Sequence, residues 1–277
     1  MNGRLGELKE AGKVLYDRLR LATLPIGVKF VKDGEEIPEG YLTPSALGQK
    51  WSLCQAFTFA RKHKGRIAMT AKDNFCLAST LAQGWIPLSF SDFIESQRLN
   101  KWRKDLEAEY AVQGLFAEIA SPENQAIITK HRGLLAAPLS ALDFVPDSVM
   151  IYGNPAQITH VIQALSYDGK NLLVSAFNGY GESCIKGALL PYLSGKPHVV
   201  IPGAGDRAFS QTGDDEIAVG MPVPALLAAA SNLFASGREF NLGYPVKSPL
   251  VGHLTEDILP GWIYLKNRMG EEEEKKG

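Results

Sequence analysis

Three cysteines, Cys54, Cys76 and Cys184, and one glycine-rich turn, Pro202-Gly203-Ala204-Gly205-Asp206-Arg207, are the residues whose types and settings fit chemistry. Thiolates are soft ligands suited to iron–sulfur clusters and zinc. Three of them on a four-iron cluster leave one iron open, a Lewis acid for a small molecule. Glycines at 179 and 181 let backbone amides approach cluster sulfurs and tune the potential. The spacing lacks a Cys-x-x-Cys pair, so no local ligand motif supports the metal. Three readings of the cysteines therefore stand side by side. They are metal ligands, with a 4Fe-4S cluster as first choice and zinc as second, zinc taking His131 or a water as fourth ligand. Or one is a reactive thiol, its pKa lowered at a helix start. Or they are small buried hydrophobes, the usual fate of free cysteine.

The glycine-rich turn follows an apolar stretch that reads as a strand. Backbone amides and a guanidinium presented there suit an anion. Gly203, Gly205, Asp206 and Arg207 are candidate binding residues for a small anionic molecule, with Arg207 on its carboxylate or phosphate. The simpler reading is a structural turn. The third glycine of a dinucleotide fingerprint is missing, no helix is evident after the turn, and the Gly-Lys-Ser/Thr of a P-loop is absent. Asn154 and Gln157 flank a helix start, where such an Asn is first a cap and second a ligand contact. Lys130-His131-Arg132 reads as a solvated helix end, and Trp51, Trp85, Trp102 and Trp262 as packing. His63 and His160 fall late on their helices, so neither is an evident base for a cysteine.

The elements that position these residues follow from periodicity and punctuation. Leu5 to Leu21 has apolar residues at helical spacing. Ile26 to Val31 reads as a strand, and residues 32–50 as a polar, turn-rich loop. Ser52 caps a helix from Leu53 to His63, whose basic last turn suits the helix dipole. A strand at Arg66 to Thr70 leads through a Lys72-Asp73-Asn74 turn into a small-residue helix that Cys76 opens. Phe90 to Gly114 reads as a charged helix. After Pro146 come a strand (148–152), a helix (156–166), a strand at Leu172 to Ala176, and the Cys184 turn with a helix to about Leu193. Strands at 198–201 and 216–219 and a helix over 224–235 complete the pattern. The Glu-rich end, from about residue 266 to 277, reads as a disordered tail.

The halves resemble each other. Residues 26–31 correspond to 148–153, the helix around Gln55 to that around Gln157, Arg66–Thr70 to 171–175, and the Cys76 turn to the Cys184 turn. The expected fold is α/β: an N-terminal helix (1–24), a first strand-helix-strand lobe (25–145) carrying a helical insertion, and a second lobe (146–265), sharing a core. A pseudo-twofold would bring the cysteine turns face to face, with no thiol in the second copy to match Cys54. An apolar pseudo-twofold surface would also allow a homodimer.

At 277 residues the chain can bury a substantial core. A formal net charge of −1 points to neither nucleic acid nor anionic membrane. No apolar run approaches the roughly 20 residues of a membrane span. With an odd and small number of cysteines and no signal-peptide pattern at the N-terminus, a reducing, cytoplasmic setting is expected.

The Cys-Gln pair at 54–55, Cys76, Asn-Pro-Ala-Gln at 154–157, Gly-x-x-Cys at 181–184 and Gly-Asp-Arg at 205–207 occur in an order that resembles the prokaryotic domain of unknown function 169 family, over roughly residues 10 to 240. The resemblance implies a coherent fold and a cytoplasmic, prokaryotic setting, and no activity. Two functions follow from the residues: a metalloprotein acting on or binding a small anionic molecule, or a non-catalytic small-molecule or regulatory module with purely structural cysteines.

Overall fold

The computed structural model describes residues 2–112, 117–170, 172–236 and 260–274. Helix α1 (Asn2–Leu19) leads to strand β1 (Ile26–Lys32), helix α2 (Leu53–His63), strand β2 (Ile67–Thr70) and helix α3 (Leu77–Ala82). Four short helices follow: α4 (Phe90–Leu99), α5 (Leu106–Val112), α6 (Ala117–Ala120) and α7 (Pro122–Ile128). Then come β3 (His131–Pro138), β4 (Ser148–Gly153), α8 (Pro155–Ser166), a π-helix (Glu182–Leu189), α9 (Leu190–Ser194), β5 (His198–Val200), α10 (Ala204–Phe209), β6 (Ile217–Met221), α11 (Val223–Ser231) and α12 (Pro260–Glu274).

The strands form one six-stranded sheet in the order β2-β3-β1-β4-β6-β5, with antiparallel neighbours throughout. Both faces are covered. Ile26, Val28 and Phe30 of β1 point with Met150 and Tyr152 of β4 toward α2 and the π-helix. Val149 and Ile151 point the other way, toward α1, α8 and α11. Strand β3 is buried on both sides: Leu134 and Ala136 join the first cluster, Leu135 and Ala137 the second. A strand covered on both faces reads as a continuous apolar run without alternation, which is why its sequence gives so little strand signal.

Several expectations are corrected here. The two halves, expected as lobes sharing a core, contribute β2-β3-β1 and β4-β6-β5 to a single sheet and meet at the β1–β4 pair. The strand order is symmetric about that pair. The helices are not, because α2 packs on one face and α8 on the other. A twofold through two antiparallel neighbours runs normal to the sheet and preserves its faces, so it does not superpose α2 on α8. Residues 172–176 form no strand, and Leu172 and Val174 are exposed. The second-half edge strand is β5, which follows Cys184 instead of preceding it. The helix expected over Phe90 to Gly114 is broken between α4 and α5, and its last residues lie outside the described residues. His131 is not a solvated helix end: it opens β3, fully buried, stacked on Phe30 at 4.9 Å. Helix α12 runs through Glu274, into the stretch read as a disordered tail; residues 275–277 lie outside the described residues.

Candidate functional site

Each cysteine is positioned by a local device that the sequence encodes. Ser52 and Gln55 form a reciprocal capping box at the start of α2, which sets Cys54 in the first turn. The Asp73 carboxylate accepts from the Thr70 and Ser45 amides and pins the turn after β2. Asn74 Oδ1 then accepts from the Cys76 amide at 2.9 Å, and Ser79 and Thr80 hydroxyls donate to the Cys76 carbonyl. Cys76 becomes the N-cap residue of α3. In the second half Gly181 adopts φ 66°, a left-handed conformation suited to glycine. Glu182 accepts from the Asn178 and Gly179 amides and pairs with Lys186 Nζ at 2.8 and 2.9 Å. That clamp starts the π-helix, which carries Cys184 on its first turn. π-Turns are rare and concentrate at functional sites.

Three long-range ties draw these segments together. Gln83 Nε2, at the end of α3, donates to the Cys184 carbonyl at 3.0 Å. The Ala204 amide donates to the Gly179 carbonyl at 2.8 Å and joins the two glycine-rich turns. Thr58 Oγ1 of α2 donates to the Ser210 carbonyl at 2.7 Å and joins α2 to the end of α10.

The result is a cavity of about 320 Å³ lined by all three cysteines. Asp206 lines it too, with Ser52, Ser79, Glu182 and Gly205. Phe93, Gln97, Asn100 and Trp102 close it from α4 and the turn after it, and Tyr180 from the other side. Trp102 stacks on Tyr180 at 5.6 Å, and the Tyr180 hydroxyl donates to Glu109 at 3.0 Å. Phe75 meets Phe209 edge-to-face nearby.

Burial pushes the Cys54 thiol well up, reinforced by the neighbouring Asp206 carboxylate and by Cys184. Cys54 keeps some surface toward the cavity it lines but lies deep among protein atoms. Burial likewise raises Cys184, with Cys76 and Asp206 adding to it. The lowered pKa of a reactive helix-start thiol is therefore not met at these two positions, and both stay protonated at neutral pH. Burial also raises the Asp206 carboxyl, against hydrogen bonds from Ser183 and the Gly203 amide.

The other expected site residues separate into two groups. Gly203 caps α10, so a helix does follow the glycine-rich turn, and Gly205 sits on that helix beside Cys54. Arg207 is not among the residues lining the cavity. Its guanidinium donates to the Gly213 and Glu216 carbonyls of the next loop. Asn154 and Gln157 form a capping box on α8, and Gln157 also holds the Leu19 and Arg20 carbonyls. They line a different cleft, with Tyr152, Lys62 and Glu216. His131, the proposed fourth zinc ligand, is not with the thiols; it packs between Phe30 and Tyr192. Sequence reasoning missed Tyr180, Gln97 and Glu182. The Glu182/Lys186 spacing was a readable i,i+4 pair; the α4 residues carried no local signal. Among the described residues, no three of His, Cys, Asp and Glu are arranged to hold a single metal ion.

The DUF169 family, described as "Uncharacterised ArCR", matches residues 14–232. The chain belongs to this family. The match takes in every cysteine, the π-helix and α10, and ends one residue past α11. A relative from Methanocaldococcus jannaschii, "Uncharacterized protein MJ0308", is 24% identical over 218 residues, covering 79% of this chain and 90% of the relative. No solved structure matches the chain.

Proposed function

We propose that this member of the DUF169 family is an iron–sulfur protein that binds a small molecule beside a cluster held by Cys54, Cys76 and Cys184. The supporting observation is convergence: the chain's three cysteines, far apart in sequence, line one cavity. Thiols not arranged to share one ion still fit a cluster, which carries its cysteines on separate irons. Zinc fits less well, because a closed zinc site needs four ligands around one ion. With three thiolates bound, a four-iron cluster would leave one iron to polarise a small molecule. The chain's own contributions would be three. Cys54, Cys76 and Cys184 hold the group. Asp206 holds a proton or a positive group beside Cys54. Trp102, Tyr180 and Phe93 exclude water. The anion expected from Arg207 would find no Arg, Lys or His among the residues lining this cavity.

A second reading, a metal-free binding module with packing cysteines, draws on the lack of a single-ion site and on the aromatic walls. Purification without oxygen, followed by iron and acid-labile sulfide analysis and a visible spectrum, separates the two. The first reading expects about four irons and four sulfides per chain, with a broad charge-transfer band that replacing all three cysteines by serine removes. Protein never exposed to air that contains no iron would overturn it in favour of the second.

A further inference from the structure

The charge of the thiol cavity limits what enters it. Two carboxylates line it, Asp206 and Glu182. Glu182 is answered by Lys186, which also donates to the Ala176 carbonyl. Asp206, 3% exposed, has hydrogen-bond donors but no salt-bridge partner among the described residues. Its sequence neighbour Arg207 is turned away to the 213–216 loop. Arg103 lies over the Tyr180 ring at 5.3 Å and donates to the Asn178 carbonyl at 2.7 Å. It too is not among the lining residues. Phe93, Trp102 and Tyr180 supply aromatic walls, and the Tyr180 ring, stacked on Trp102, already draws the Arg103 guanidinium over its face, the attraction that an aromatic ring offers a cation. Gln97 and Asn100 offer neutral polar contacts.

We infer that the ligand of this cavity is a small organic cation, an amine or related nitrogen base on an apolar or aromatic body, with its charge against Asp206 and its body against Trp102 and Tyr180. The inference rests on the cavity being the ligand site, which both readings above share, and it replaces the anion expected from the sequence. A buried carboxylate without a cation partner gains most from a charge that arrives with the ligand.

The probes are benzylammonium, benzyl alcohol and benzoate, which share one ring and differ in charge. Binding is measured by calorimetry on the full chain, once as purified without oxygen and once after chelation under reducing conditions. In both forms benzylammonium should bind at least about tenfold tighter than benzoate, a difference of about 1.4 kcal/mol, with benzyl alcohol between them. Asp206→Asn should bring benzylammonium to the level of benzyl alcohol and leave the alcohol unchanged. Trp102→Ala should weaken all three. Benzoate binding as tightly as benzylammonium, a cation preference that survives Asp206→Asn, or no binding of benzylammonium in either form would each overturn the inference. If Asp206→Asn does not fold, the wild-type order alone decides. Absence of iron would remove the cluster and leave this test intact, because the chelated protein gives its own answer.

Discussion

At the scale of single residues, burial sets the protonation state of the groups that matter. Cys54 and Cys184 are held up by burial and by negative neighbours. Loading any metal must displace those protons, so uptake should weaken as pH falls and improve as it rises. Iron incorporated during anaerobic reconstitution at pH 6, 7 and 8 should therefore increase along the series; a flat series would argue that these thiols are not the ligands. His131 behaves in the opposite chemical sense. Burial, with Lys32 nearby, pushes its pKa down to about 4, and neither ring nitrogen has a hydrogen-bond partner. In the unfolded chain it titrates near 6.5. Between those values the unfolded chain binds more protons, so stability is full above about pH 6.5 and falls as pH drops toward 4. His131→Phe keeps the stack on Phe30 and Tyr192 and removes the proton. The melting temperature of this variant should fall less between pH 7 and pH 5 than that of the wild type.

At the scale of elements, the site depends on how closely the π-helix presses on the sheet. A Cβ at Gly220 of β6 would lie 1.9 Å from the Gly187 carbonyl oxygen, and the obstacle is backbone that cannot swing aside. Gly220→Ala should push the π-helix outward, cost about 1–3 kcal/mol as overpacking does, and move Cys184 away from the other two thiols. Denaturant unfolding reads the first effect, and iron content or benzylammonium affinity the second. A fully stable variant with unchanged binding would show that this contact does not position the cysteine. The caps were legible at this scale. Ser52 with Gln55 and Asn154 with Gln157 are reciprocal boxes three residues apart, and short-range hydrogen bonding is what sequence reports best. The close seat of the π-helix on the sheet was not legible, because it depends on Gly187 meeting Gly220 of β6 and Met150 of β4.

At the scale of the whole molecule, the cavity is assembled from both halves, so what joins them bears on it. Besides the β1–β4 pair, Arg61 joins them: its side chain is fully buried, pairs with Glu216 from the second half and lies over the Tyr152 ring at 4.1 Å. Removing one partner of a buried pair costs on the order of 3 kcal/mol, since the other charge is left uncompensated. Arg61→Met should lower the unfolding free energy, read from denaturant titration, by that amount and loosen the 210–216 loop that also holds Arg207. Among the described residues no helix is long and apolar enough to cross a membrane, in line with the reading of the hydropathy.

The local pieces were written in short stretches of sequence. It marked β1, the capped helix α2, both cysteine turns and the helix starts at all three thiols, because alternation, caps and turn residues act over a few positions. The rest came from long-range packing. It inserted β3, whose apolar run lacks alternation; it put α2 and α8 on opposite faces of one sheet where the repeat had paired them; it buried His131; and it turned Arg207 to the carbonyls of the 213–216 loop while leaving Asp206 with the thiols. Residues 206 and 207 are adjacent in the chain, yet successive side chains on a helix leave about 100° apart, so one faces the cavity and the other the 213–216 loop. Which of the two would meet the ligand was set by what packs around α10, and that depends on contacts between segments a hundred or more residues apart.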